Sequence, residues 1–389
     1  MTLIEVLKYL SLAGGLFFLL TMVAAYLTLM ERKVLARIQQ RMGPTYVGFK
    51  GILQPLADAI KLITKEDLLP SWADRSIYWL APIAVLVPAV LMWVTIPVTG
   101  ELVLSNFDMG LLYITAISVL SVMGLVMAGW GSANKWAVMG GLRAAGQLVS
   151  YEIPFIMSIL AIAMLAQSLN LREIVFQQNH FAFILKQPLA FFIFFTAGLA
   201  ELGRIPFDIH HAESEVVGGP FVEYSGAHWA VFYLSEYMNT FTVAVLTTLL
   251  FLGGWIWPTM PFDGTLHNLL SLILFMFKTI LVIYLIFWIR GTFPRLRIDQ
   301  LMAFGWKILV PLSFINILIT SSILFFADRN PAFSPISHWI MSLTSLMLLV
   351  FTVYLIKYRA NANGDVDSVR LVSASEIRQN ILKKNEVTH

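Results

Sequence analysis

The chain of 389 residues contains no cysteine, and charged residues make up only 13% of it. Without cysteine it can form no disulfide, no thiolate zinc site and no cysteine-ligated iron–sulfur cluster, and it can hold no cysteine nucleophile. Soluble globular domains carry about 25% charged residues, so the scarcity of charge argues against a soluble protein. The net charge of +3 is too small to predict a nucleic-acid partner.

Apolar residues are abundant instead. Hydrophobic residues make up 58% of the chain and its mean hydropathy is +0.77. A helix of about 20 apolar residues is long enough to cross a bilayer. Nine runs of about that length are present, at residues 9–30, 77–98, 111–130, 149–167, 181–200, 229–257, 269–289, 306–327 and 338–357. They predict an all-α, polytopic transmembrane helix bundle with about nine spanning helices.

Lysine and arginine are distributed unevenly between the two sides of this predicted bundle. If all nine runs span the membrane, 21 of the 26 basic residues fall on the side that includes the loop after the first run and the C-terminal tail. Cytoplasmic loops carry the excess of basic residues in membrane proteins. We therefore expect an integral membrane protein with its N-terminus outside and its C-terminus in the cytoplasm.

The loop after the first run has two parts. A basic segment begins at Glu31 and ends on a Gly-Pro break, and apolar residues then recur at helical spacing through Leu56, Ile60 and Ile63. This spacing predicts an amphipathic helix in the first cytoplasmic loop. The helix either lies along the membrane surface, or forms the wall of a pocket that an amphiphile with a polar head enters from the bilayer.

The third predicted cytoplasmic loop is acidic. Its acids and those of the adjoining runs are Glu152, Glu201, Asp208, Glu213, Glu215, Glu223 and Glu236, with Arg204 as the one base of the loop. A solvated connection would tolerate such a composition. Ionisable groups at membrane depth usually face a polar cavity, however, and clustered carboxylates titrate as coupled groups, as a proton relay requires. Lys278, inside the seventh run, needs a partner or a water-filled neighbourhood for the same reason.

Together these segments resemble the quinone-site membrane subunit of respiratory complex I, which is called the H subunit in bacteria and the first subunit in mitochondria. The resemblance covers roughly residues 5–327. It is carried by seven blocks that follow one another in order: ERKVLARIQQRMGP, LQPLADAIKL, GGLRAAGQLVSYE, ELGRIPFD, AESE, EYSG and RGTFPRLRIDQLMAFGWK. Because the family fold has eight spanning helices, the resemblance implies a family-like membrane domain at 1–327, an additional C-terminal transmembrane helix at 328–357 and a cytoplasmic tail at 358–389.

The function implied by the resemblance is that of a membrane subunit of a proton-translocating NADH:quinone oxidoreductase, which forms part of the quinone-binding tunnel and couples quinone reduction to proton translocation. Quinone is then the substrate, and no cofactor or metal is bound by this chain. FMN and iron–sulfur clusters are expected in partner subunits. The implied partners are peripheral quinone-site subunits and antiporter-like membrane subunits, in a bacterial inner membrane.

The resemblance also implies roles for particular residues. The residues that match the quinone-access region are Arg32, Arg41, Asp58 and Lys61. Those that match the buried acidic path, which carries protons and couples the reaction, are Glu152, Glu201, Arg204, Asp208, Glu213, Glu215, Glu223 and Glu236. A basic turn after the seventh helix is matched by Arg290, Arg295 and Arg297.

One segment departs from the family pattern. His210 and His211 stand where the family usually has Pro-Glu, so a group with an unperturbed pKa of about 6.5 replaces one acid of the path. We expect His211, among so many acids, to be protonated and to bridge carboxylates. A metal site at this pair is not expected, because adjacent side chains on a helix diverge and no spaced third ligand follows.

Two other functions are compatible with parts of the sequence. One is the homologous membrane anchor subunit of a ferredoxin-fed complex or of a membrane-bound hydrogenase. The other is an autonomous ion transporter, against which the chain shows no inverted repeat and no paired broken helices. Purification separates them, since a transporter is active alone and a subunit copurifies with iron–sulfur and antiporter-like partners.

Overall fold

The computed structural model describes residues 3–100, 102–179, 181–209, 216–258, 265–330 and 334–364. Within these ranges the regular structure is helical throughout, which confirms the all-α prediction. The helices are α1 Leu3–Ile38, α2 Gln54–Thr64, α3 Arg75–Leu91, α4 Gly110–Gly131, α5 Lys135–Ala166, α6 Leu171–Phe176, α7 Phe183–Lys186, α8 Pro188–Glu201, α9 Gly226–Leu250, α10 Thr265–Thr292, α11 Ile298–Phe304, α12 Val310–Arg329 and α13 Ser334–Gly364. A π-helical turn, Gly305–Leu309, joins α11 to α12.

Among the described residues, seven segments are long and apolar enough to cross a membrane: Leu7–Ile38, Arg75–Val94, Gly110–Gly131, Lys135–Ala166, Asn268–Thr292, Ile298–Arg329 and Ile336–Tyr354. They confirm a polytopic helical bundle. The two remaining apolar runs also form helices, but of a different kind. The run at 181–200 is broken before Pro188, so that α8 has 14 residues, and the run at 229–257 forms α9, whose 25 residues include Glu236, Asn239 and several threonines.

Polar side chains mark where several helices begin. Asp74, Asn134 and Asn170 precede α3, α5 and α6, and each accepts a hydrogen bond from the backbone N–H two residues further on. These N–H groups have no partner inside the helix, so the caps stabilise each helix start. Pro188 occupies the first turn of α8, where its missing N–H costs nothing. The break in the 181–200 run therefore has a local cause.

The core is built around α5 and α9. Helix α5 packs against α4, α8 and α12, whereas α9 packs against α1, α3 and α10. Aromatic pairs pack between these helices. Among them, Phe155 of α5 and Phe194 of α8 are stacked, with their ring centres 4.6 Å apart. Gly124 allows α4 to lie close to α3, because a Cβ there would stand 2.4 Å from the Val85 side chain. This packing brings Glu152 of α5 and Glu201 of α8 to one cavity, and Glu201 and Glu236 of α9 to a neighbouring one.

The first loop contains the predicted amphipathic helix, α2. Its apolar side chains Leu56, Ile60 and Ile63 are 56%, 54% and 73% exposed. The connection from α1 is tight, since a Cβ at Gly51 would lie 2.2 Å from the Pro44 carbonyl oxygen, and Gly51 has a φ of +81°. The turn before α2 thus packs at Gly51 against Pro44 of the Gly-Pro break.

The chain divides into two compact units, Met1–Ser345 and Leu346–His389. All the contacts described below belong to the first unit. Within the second, the described residues to 364 continue the helix α13. The boundary after residue 327, with a separate helix at 328–357 and a tail at 358–389, stays a prediction from the sequence.

Candidate functional site

A buried cluster of charges lies where α1, α9 and α10 meet the turn after α8. At its centre is Glu31, which is 3% exposed. Its Oε2 accepts hydrogen bonds from Arg204 Nη1 at 2.5 Å and from the Tyr237 hydroxyl at 2.8 Å, and its Oε1 pairs with Arg290. We call Glu31, Arg204, Glu236, Tyr237 and Arg290 the Glu31 cluster. It holds two guanidinium groups against two carboxylates with almost no contact to solvent at its centre.

Arg204 lies between two carboxylates and two aromatic rings. Its Nη2 lies 3.5 Å from Glu236 Oε1, and its guanidinium carbon stands 4.5 Å and 5.4 Å from the ring centres of Tyr237 and Phe287. Burial by itself would lower the pKa of Arg204, but the charges of Glu31 and Glu236 outweigh it and raise the pKa above its ordinary value. The guanidinium therefore stays charged. Its Nε and Nη2 have no hydrogen-bond acceptor within the described residues.

The sequence reasoning identified Arg204 and Glu236 but missed Glu31. Glu31 directly follows the first apolar run, so its carboxylate looked like a charge at a helix end. Helix α1 has 36 residues and is therefore roughly 54 Å long, against about 30 Å for a bilayer core. Its last turns thus continue as structured helix, on which Glu31 faces inward. The ERK motif alone could not reveal this, because the partners are about two hundred residues away.

A second ion pair adjoins the cluster. Asp208 Oδ2 accepts from Arg295 Nη2 at 2.7 Å, while Asp208 Oδ1 is buried without a partner in the described part of the chain. Arg295 belongs to the basic turn that the motifs matched, and the backbone N–H of Leu296 donates to the Pro206 carbonyl at 3.1 Å. The turn after α10 is thereby fastened to the acidic turn after α8.

Three cavities lead from these ion pairs into the bundle. The first, of about 270 Å³, is lined by Arg204, Asp208, Phe221, Tyr233, Glu236 and Arg290, among others. The second, of about 50 Å³, shares Glu236 and Phe221 with the first and adds Glu201 and Asn239. The third, also of about 50 Å³, shares Glu201 and Asn239 with the second and is lined in addition by Ser118 and Glu152. Successive cavities therefore have a carboxylate in common.

The carboxylates along the cavities have few direct partners. Ser118 Oγ lies 3.5 Å from Glu152 Oε1, and Glu201 faces both small cavities. Each cavity has room for a few waters, since one water needs about 10–15 Å³ of this kind of volume. Waters in these cavities can connect the carboxyl groups by hydrogen bonds, and protons can move along such a chain.

Asp58 of the first loop is anchored to α1. Its Oδ2 accepts from Arg32 Nη1 at 2.6 Å, and its Oδ1 accepts from Gln54 Nε2 at 3.2 Å. The structure thus brings together two of the four residues that were predicted at the quinone-access region. Arg41 is exposed and donates to the Gln39 side chain, and Lys61 is exposed on α2.

The remaining predicted residues fall elsewhere. Glu223 accepts from the Asn134 amide at 2.7 Å, at the start of α5. His211, Glu213 and Glu215 lie outside the described residues, as does His210. Within the described ranges no group of three or more histidine, aspartate and glutamate side chains could hold a metal ion.

The ammonium group of Lys278 donates to backbone carbonyls instead of pairing with a carboxylate. Its Nζ donates to the carbonyls of Leu252 and Gly254 at 2.6 Å and 2.9 Å, and also to that of Trp257. These carbonyls belong to the turn that follows α9, where the helix dipole favours a cation. The predicted need for a partner is met, and Lys278 ties α10 to the end of α9.

Comparison with known proteins gives a consistent result. A family model described as NADH dehydrogenase matches residues 11–321. The chain is 46% identical over 330 residues to the NADH-quinone oxidoreductase H subunit of Dehalococcoides mccartyi (strain CBDB1), an alignment that covers 85% of this chain and 90% of that protein. It is 48% identical over 299 residues to the protein of the same name from Geobacillus thermodenitrificans (strain NG80-2), covering 77% and 89%. With the protein of the same name from Geobacillus kaustophilus (strain HTA426) it shares 48% identity over 307 residues, covering 78% and 91%.

Proposed function

The chain belongs to the NADH dehydrogenase family, as its motifs predicted, and we propose that it is a membrane subunit of a proton-translocating NADH:quinone oxidoreductase. It forms part of the quinone-binding tunnel and couples quinone reduction to proton translocation. The observation that carries this proposal is a series of neighbouring cavities whose walls have carboxylates in common. They run from a site rich in arginine to carboxylates inside the bundle, and Glu236 and Glu201 are each shared by two neighbouring cavities.

The arginine-lined cavity suits a quinone headgroup. Reduction of a quinone consumes two electrons and two protons and yields the quinol, and negative charge develops on the quinone oxygens if electrons arrive first. Arg204 and Arg290 line this cavity, and cationic donors fixed in a partly desolvated site stabilise such charge strongly. Electrons are supplied by partner subunits, where we place FMN and the iron–sulfur clusters.

The first loop suits the path by which a quinone arrives. A quinone carries a polar ring on a long apolar tail, and α2 presents exposed apolar side chains next to a polar contact with α1. In this proposal the Arg32–Asp58 pair fixes α2 against α1. Arg41 and Lys61 complete the polar side of the access region for the headgroup.

The acidic path suits the coupling step. A negative charge on the quinone draws protons toward the Glu31 cluster, because opposite charges attract strongly where the dielectric constant is low. Glu236, Glu201 and Glu152 then form successive proton-binding groups that lead away from the quinone. Asp208, His211, Glu213, Glu215 and Glu223 are proposed to act at the loop end of the same path.

The proposed setting is a bacterial inner membrane, with the N-terminus outside and the C-terminus in the cytoplasm. The subunit contacts peripheral subunits that complete the quinone site and antiporter-like membrane subunits that receive the protons. The relatives' names include an NADH-quinone oxidoreductase, which supports NADH as the electron donor of the complex. A ferredoxin-fed complex would instead accept electrons from reduced ferredoxin and not from NADH.

The experiment compares two substitutions in the assembled complex, reconstituted into proteoliposomes. Glu201→Gln neutralises the carboxyl group that two cavities share. Glu173→Gln is the matched control, because Glu173 on α6 is exposed, accepts a hydrogen bond from the Ser168 hydroxyl and lines none of these three cavities. Three rates are measured: NADH oxidation with a hydrophilic acceptor, quinone reduction and proton uptake.

We expect Glu201→Gln to slow quinone reduction and proton translocation together and to leave the hydrophilic-acceptor rate at the parental level. Glu173→Gln should match the parent in all three rates. Parental pumping by an assembled Glu201→Gln complex would contradict the proposed path. Copurification with no iron–sulfur partner would contradict membership in such an oxidoreductase.

A further inference from the structure

Asn239 stands between the carboxylates of the proposed path. It lies on α9 three residues after Glu236, so the two side chains share one face of the helix. Asn239 lines both small cavities, as does Glu201. The two cavities also share Leu148 and Leu202, which are apolar. Among the described residues that separate the two cavities, Glu201 and Asn239 thus carry the polar side-chain atoms.

The side-chain oxygen of Asn239 has no hydrogen-bond partner among the described residues. This atom, Oδ1, is buried. Neighbouring polar groups on α9 are already satisfied: the Thr242 hydroxyl donates to the Met238 carbonyl and accepts from Trp93, and the Ser235 hydroxyl donates to Phe232. A buried oxygen without a partner costs about 1–3 kcal/mol, so an unpaired oxygen at this place calls for a bound group.

The space next to this oxygen fits water. The cavities on its two sides have volumes of about 50 Å³ each and contain further oxygens, from Glu236 in one and from Ser118 and Glu152 in the other. A buried water needs about 10–15 Å³ and two to four polar partners, and both conditions are met here. No apolar group would satisfy Asn239 Oδ1 in the same position.

We propose that Asn239 is a positioning residue that holds bridging water between Glu236 and Glu201, in the cavity that all three residues line. This inference rests on the proposed function. Asn239 itself neither gains nor loses a proton. Its amide orients water so that a proton accepted from one carboxylic acid can be passed on to the next.

The test uses two substitutions of nearly equal size in the assembled, reconstituted complex. Asn239→Thr keeps an oxygen in the cavity wall, whereas Asn239→Val replaces it with a methyl group. We expect the Val variant to pump protons and reduce quinone roughly fivefold more slowly than the Thr variant, as the loss of one hydrogen bond to a bridging water predicts. The hydrophilic-acceptor rate should be equal in both, and the solvent deuterium isotope effect on quinone reduction should be larger for Val.

A matched control comes from Asn316, a buried asparagine on α12. Asn316→Thr and Asn316→Val should not differ in coupled activity. Equal activity and equal isotope effects of the two Asn239 variants, at whatever level, would overturn the inference. If neither variant assembles, Asn239→Ser and Asn239→Ala form a smaller pair for the same comparison.

Glu201→Gln separates this inference from the function on which it rests. If Glu201→Gln is impaired while Asn239→Thr and Asn239→Val are equal, only the role of Asn239 is wrong. If Glu201→Gln also pumps like the parent, the proposed path itself is wrong.

Discussion

Neutralising Glu31 should destabilise the protein more than any loss of a surface ion pair. In Glu31→Gln the side chain keeps its size but loses the charge that balances Arg204 and Arg290. Its amide N–H₂ also replaces one of the two oxygens that now accept from these arginines and from Tyr237. Arg204 is 2% exposed, so water cannot replace the lost partner.

The magnitude follows from the burial of the pair. Removing one partner of a buried ion pair costs about 3–5 kcal/mol, because the other charge stays buried without compensation. Glu236, 3.5 Å from Arg204 Nη2, offsets part of this cost. We therefore expect about 3 kcal/mol, which is a factor of roughly a hundred in the folding equilibrium.

The assay is thermal unfolding of the purified complex together with the amount of assembled complex in the membrane. Arg32→Gln is the control on the neighbouring residue, because its pair with Asp58 is 42% and 22% exposed and should contribute at most about 1 kcal/mol. If the Glu31→Gln complex is no less stable than the Arg32→Gln complex, the buried charge of Glu31 does not stabilise the protein as expected.

Three further predictions concern the first loop, Lys278 and the C-terminal tail. Asp58→Asn should slow quinone reduction but not the reaction with a hydrophilic acceptor, because it loosens α2 from Arg32. Lys278→Met should lower the melting temperature of the complex, at a cost of about 1–3 kcal/mol, since three carbonyls lose their donor. Ser373→Cys, in a chain without other cysteines, should react with an impermeant thiol reagent in inverted vesicles and not in intact cells.

Each of these has an outcome that contradicts it. Loss of both activities in an assembled Asp58→Asn complex would place Asp58 away from the quinone end. A Lys278→Met complex with parental stability would mean that water replaces the ammonium group. Labelling of Ser373→Cys from outside intact cells would reverse the predicted position of the tail.

The sequence predicted the bundle because apolar length and spacing are local signals. The first loop was predicted for the same reason, since α2 has apolar residues at helical spacing. The run at 181–200 was predicted as one span, because apolar length alone does not show whether a proline such as Pro188 lies within a helix or starts a new one. The structure resolves this: α7 ends at Lys186 and α8 begins at Pro188.

The candidate site was only partly predictable, because its contacts join distant parts of the chain. Glu31 pairs with Arg204 across 173 positions, and no local pattern around Glu31 distinguishes it from a solvated helix end. Lys278 posed the opposite problem. The sequence showed that it needed a partner, but backbone carbonyls leave no mark in a sequence. Asn239 was missed because an uncharged amide in an apolar helix gives no electrostatic signal.

We propose that this chain binds a quinone at the cavity lined by Arg204 and Arg290, next to the first loop. Photolabelling of the purified complex with an azido-quinone, followed by mass spectrometry, tests it most directly. We expect label on peptides within residues 31–65 and 203–233, and loss of this label when unmodified quinone competes. Label confined to other subunits, or to residues 102–109 between α3 and α4, would contradict it.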